Sequence, residues 1–161
     1  MAMVARSRCL ACGSGRLQLL SCLSEEGVPH GRAGHCFAYS YDRISLCKAC
    51  HCAQLERYSH DCFSHDEDEE MYWWYAISPP DVLRLRGLLD QCGHARDARC
   101  NCSVHTSLRK SIRSLWAGIR HSYTSNQKAQ FAWLSVNSQN GEGELLLDVQ
   151  RGIAQAHWPV Y

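Results

Sequence analysis

The stretch Leu46–His60 reads LCKACHCAQLERYSH, and the ten residues after its cysteine pair decide the fold. Cys47 and Cys50 have the Cys-x-x-Cys spacing that turns two thiolates toward one ion. The ten residues HCAQLERYSH are helix-compatible, so the pair is expected to open a short helix. Upstream, CLACGSG repeats the spacing with Cys9 and Cys12, and Gly13 suits the positive φ that so tight a turn takes. Between the pairs, Leu17–Leu23 (LQLLSCL) reads as a buried strand. Cys36–Leu46 (CFAYSYDRISL) reads as a second, rich in aromatic and β-branched residues, with a Gly-rich loop before it.

A knuckle, two paired strands and a second cysteine pair opening a helix resemble the treble-clef and zinc-ribbon group of zinc-binding proteins. The resemblance covers Cys9 to about Ser59, the N-terminal third. It implies Cys9, Cys12, Cys47 and Cys50 as the four ligands of one zinc. It also implies a helix N-terminus whose free N–H groups support the anionic site. His51 and Cys52 adjoin Cys50 as substitute ligands.

Beyond this module, Ser78 reads as an N-cap, Pro79 as the first helical residue and Asp81 as a first-turn acid. Val82, Leu85, Leu88 and Leu89 then share one helical face, and Gly93 ends the segment. The loop CGHARDARCNCSVH places Cys92, Cys100, Cys102 and His105 as a Cys3His set, with His94 in reserve. A loop so rich in charge and small residues cannot fold on apolar burial, so a metal is expected to pin the two flanking helices. The second helix is expected from Val104 to Tyr123. Leu108, Ile112, Leu115, Trp116, Ile119 and Tyr123 form its apolar stripe, and Arg109, Lys110, Arg113 and Arg120 a basic outer face. Gln130–Val136 and Glu144–Val149 read as a hairpin across an Asn-Gly turn, with Trp158 of the tail packing on the body. The expected fold is therefore α+β, a single compact domain over 1–161. It comprises a treble-clef-like module (1–60) and a helical second site with a hairpin (61–161).

Composition sets the compartment and the metal. The eleven cysteines are an odd number, and the N-terminus has no long apolar stretch of the secretory kind. No run approaches the roughly 18 apolar residues of a membrane span. A cytoplasmic chain keeps its thiols reduced, so two structural zinc ions are expected rather than disulfides. Cys22, Cys36, Cys52 and Cys62 are left outside both ligand sets, and the sequence assigns them no role.

Function is read from what is missing and from charge. There is no His-Glu-x-x-His, no Gly-x-Ser-x-Gly, no phosphate-cradling glycine loop and no complete deaminase signature. No catalysis and no small-molecule substrate are therefore expected. Residues 61–81 hold seven acids and no Lys or Arg; residues 84–128 hold nine bases and two acids. Within the acidic block, Asp66, Glu67, Asp68, Glu69 and Glu70 run into Tyr72, Trp73, Trp74 and Tyr75. Strand alternation is expected to send one aromatic pair to the core and leave the other on view beside the acids. Such a face suits a protein partner with a basic cleft. In style it resembles immunity proteins and antitoxins that plug a toxin's active site. The second reading is a zinc finger that binds nucleic acid through Arg109, Lys110, Arg113 and Arg120.

Overall fold

The computed structural model describes residues 8–27, 38–64, 67–115, 121–122, 128–137 and 146–159. Six long strands form one mixed sheet, and two helices lie against one of its faces. In chain order the elements are β1 (Leu17–Gly27), β2 (Tyr39–Cys47), β3 (Ala53–Ser64), β4 (Glu67–Ile77), α1 (Pro79–Leu89), α2 (Ser103–Arg113), β5 (His121–Ser122), β6 (Lys128–Val136) and β7 (Leu147–Pro159). The sheet order is β1-β2-β3-β4-β6-β7, with the two-residue β5 also on β4. Strands β1 to β4 form an antiparallel meander; β6 joins β4 in parallel and β7 returns antiparallel. The sheet runs unbroken across residue 60, where the zinc module was expected to end.

The segment that decides the fold is a strand. Residues 53–60, expected as helix, lie within β3 and pair along their length with both β2 and β4. Leu55 and Ala53 face the helices, while Gln54 and Glu56 on the other face are buried as well. Their polar atoms are satisfied by distant partners. Gln54 Oε1 accepts the Leu10 N–H at 2.9 Å, and Glu56 accepts the Trp74 Nε1–H at 2.9 Å and the Tyr41 hydroxyl. A polar face that is buried breaks the alternation on which strand prediction depends.

Three of the four aromatic residues of β4 are buried and Trp73 is half-buried, which corrects the expectation that one pair stays on view. Tyr75 (0% exposed) enters the core under the helices, and Trp73 packs at its margin. On the opposite face Tyr72 (6%) and Trp74 (3%) pack with Leu10, Ala76, Phe131 and Ala156. Their rings stack at 5.1 Å, and Tyr58 and Tyr41 continue the aromatic row across the register. Asp66 and the side chains of residues 61–70 lie outside the described residues.

Helix α1 starts as expected and buries Val82, Leu85, Leu88 and Leu89. Its Asp81 carboxylate accepts bonds from the Val136 N–H, Arg84 and the Ser78 hydroxyl, tying the helix start to β6. Helix α2 ends at Arg113, ten residues before the expected Tyr123, and His121–Ser122 is strand. Arg57 Nη1 donates to Ile112 O in its last turn at 3.2 Å, and Tyr75 Oη to Leu115 O just beyond the cap at 3.0 Å. Trp116, Ile119, Arg120 and Tyr123 lie outside the described residues, as do the turn at 138–145 and the Trp158 side chain. Among the described residues no helix is long and apolar enough to cross a membrane.

Candidate metal centres

Two groups of four converge: Cys9, Cys12, Cys47 and Cys50, and Cys92, Cys100, Cys102 and His105. Within each, the ligand atoms all lie within 4.8 Å of one another. In the first, the Cys9 and Cys50 sulfurs are 3.5 Å apart and those of Cys12 and Cys47 3.7 Å. A tetrahedron with metal–sulfur bonds of about 2.3 Å has edges of about 3.8 Å, so one ion fits.

The first site is built from two turns of the same design. In one, Gly13 N donates to Cys9 O at 2.8 Å and Cys9 N to Ser14 O at 2.8 Å. In the other, His51 N donates to Cys47 O at 2.9 Å and Cys47 N to Cys52 O at 2.8 Å. Gly13 (φ 78°) and His51 (φ 63°) occupy the same left-handed position. Each turn aims backbone N–H groups at sulfur: Ala11 and Cys12 at Cys9, Ser14 at Cys12, Ala49 and Cys50 at Cys47. Burial pushes the Cys9 thiol well above its ordinary range. Burial opposes ionisation of Cys47 too, but the Cys50 and Ala49 N–H groups and the neighbouring thiols bring it down to about 7. The supporting N–H groups thus come from turns and not from a helix N-terminus, the second correction to the treble-clef expectation.

That helix-terminal arrangement occurs at the second site. Cys102 is the N-cap of α2, and its sulfur accepts the His105 N–H at 3.4 Å. The positive end of the helix therefore faces a thiolate. Burial opposes its ionisation, yet the His105 N–H and the other ligands lower Cys102 to about 6. His105 is fully buried, with Nδ1 3.1 Å from the Cys92 sulfur and 3.7 Å from that of Cys102. Its Nε2 lies 3.2 Å from Cys22 O. A carbonyl can only accept, so Nε2 carries the proton and Nδ1 keeps its lone pair for a metal, the usual arrangement of a ligand histidine. Burial raises the Cys92 thiol to about 11.

The second site also closes the edge of the sheet. Ala95 O accepts the Cys22 N–H at 3.0 Å and the Ser21 hydroxyl at 2.8 Å. Arg109 donates to Leu23 O, Ala98 O and Cys100 O, each at 2.6 Å, and to Asn101 Oδ1 at 3.1 Å. Backbone groups that β1 would otherwise present to a passing strand are thereby taken. Arg109 is thus bound up in the fold, while Lys110 and Arg113 are exposed and Arg120 is not described. The reserve ligands His51, Cys52 and His94 fall outside both groups of four. Sequence reasoning did not find the roles of Cys22, Ala95 and Arg109 around the second site, because each contact crosses from one element to a distant one.

Comparison with protein-family models, with curated proteins and with solved structures found no match.

Proposed function

We propose that the protein is a non-catalytic, zinc-stabilised binding protein that captures another protein through its acidic end, in the manner of an immunity protein or antitoxin. The observation that carries this reading is that each candidate site brings four protein ligands together. A zinc with four protein ligands has no open position for water or substrate, so it stabilises and does not catalyse. Four cysteine or histidine donors in tetrahedral reach favour zinc over hard, oxygen-seeking cations.

The partner face is the end of the β3–β4 ribbon. Among the described residues β2 reaches β3 only as far as His60, and β5 meets β4 only at Met71 and Tyr72, so 61–64 and 67–70 run on as two strands. Register sets Asp61 opposite Glu69, and Glu67, Asp68 and Glu70 complete an acid-rich tip. A basic cleft would complement this run of acids and speed capture by steering. Affinity isolation from the native host, with the wild type beside a variant carrying Asp68→Asn, Glu69→Gln and Glu70→Gln, tests the reading. A basic enzyme as main partner, lost from the variant and at high salt, is expected. Equal capture by the variant would sink it. The basic-helix reading gains nothing from the geometry, since Arg109 is engaged elsewhere.

A further inference from the structure

At the opposite end of the sheet the two cysteine turns are cationic. Strands β1 and β3 start there and β2 ends there, at the two cysteine turns. Arg8, Arg16 and Lys48 stand on these turns, all exposed. The Lys48 N–H donates to Arg16 O at 2.9 Å, which sets the two residues side by side across the turns. Buried Gln54 donates to Arg8 O at 3.2 Å and accepts the Leu10 N–H, fixing the third cation to β3. The sequence has no Asp or Glu at positions 1–24 or 43–55, and none of the three cations has a carboxylate partner among the described residues. Their charge outweighs the two formal negative charges that a divalent ion on four thiolates retains.

We propose that this end binds the phosphate backbone of duplex nucleic acid without regard to sequence. A protein partner would call for an apolar anchor. Leu83, on α1, is the one exposed large apolar side chain among the described residues, and it lies outside the turns. Stacking on a run of unpaired bases would call for exposed Trp, Tyr or Phe rings, and among the described residues none stands on the turns, whose one exposed ring is the His51 imidazole. Phosphate contact needs only fixed cations and room for approach. Gly13 and Gly15 supply the room: a Cβ built on either meets nothing within 4 Å. The proposal is independent of the acidic end, which repels the same ligand.

The test is fluorescence anisotropy of a labelled duplex of mixed sequence with the full zinc-loaded chain. Three phosphate contacts predict a slope of about −2.7 for log affinity against log salt, or about 40-fold weaker binding between roughly 50 and 200 mM. Arg8→Gln, Arg16→Gln and Lys48→Gln together are expected to abolish binding while zinc content and Tm hold. Lys48→Gln alone should lower the slope by about 1, and it rests on no side-chain contact that folding needs. Lys110→Gln with Arg113→Gln should change nothing. Loss of zinc in the triple variant would mean that the cations serve the metal, and would overturn the proposal. So would absent binding, binding lost with the α2 pair instead, or salt-sensitive self-association of the chain in light scattering.

Discussion

His51 shows at one residue how the first site is held. It takes φ 63° in a turn that is otherwise a copy of the one around Gly13, and it is the one non-glycine at positive φ among the described residues. A left-handed conformation costs an L-residue about 1–2 kcal/mol, less for the short polar side chains that tolerate it. Glycine also loses more freedom on folding, by about 0.5–1 kcal/mol. His51→Gly is therefore expected to stabilise by at most about 1 kcal/mol, and Gly13→Ala to destabilise by about 1–2 kcal/mol despite the open space around it. Thermal unfolding with metal analysis measures both. Zinc content should stay constant, because neither residue belongs to the four converging donors. A drop in zinc on His51→Gly would show that the ring contacts the ion.

At the scale of elements, α2 and the loop before it act as a clamp on the edge of β1. Arg109 makes four of the clamp's bonds, with the His105 ring and Ala95 O making the others. Hydrogen bonds to a charged group are each worth about 1.5–3 kcal/mol, and removing the guanidinium orphans several carbonyls at once. Arg109→Met is expected to cost about 3 kcal/mol, and Lys110→Met, one residue on but exposed, within about 0.5 kcal/mol of nothing. Denaturant unfolding at constant zinc separates them, and equal losses would contradict the clamp. The same contacts mark the limit of the sequence. The ligand spacings are local, so both groups of four were legible, as were β1, β2 and the face of α1. The strand β3 was not, because Gln54 and Glu56 look solvent-facing until Leu10, Tyr41 and Trp74 arrive from elsewhere. The end of α2 was hidden for the same reason. Its apolar stripe continues past Leu115 in sequence, but Arg57 holds Ile112 O in the last turn and Tyr75 holds Leu115 O just beyond it, both from distant strands.

Over the whole molecule, the two candidate centres differ in how much of the fold each would release. The first joins two turns at one end of the sheet and includes exposed Cys12. The second joins the end of α1, the start of α2 and the edge of β1, with Cys92 and His105 buried. Water and chelator reach the first more readily, so metal is expected to leave in two phases. The fast phase should vanish in Cys12→Ser and leave the helix signal largely intact; the slow phase should carry the loss of helix. Acid should speed both, and the sign comes from the thiols. Cys47 and Cys102 ionise near 7 and 6 in the folded chain, against 9.0 ordinarily. The buried Cys9 and Cys92 thiols, pushed up, oppose folding only above about 9, while the Cys47 and Cys102 anions favour folding less as pH falls through 7 and then 6. Protons compete with metal for the same sulfurs over that interval. Stopped-flow mixing with a chromogenic chelator, with helix monitored by circular dichroism, should show both phases quickening from about pH 8 to about pH 5. A single phase that dismantles α2 with the first ion lost would mean that the sites are one cooperative unit. The division of labour between an end turn and a central clamp would then fail.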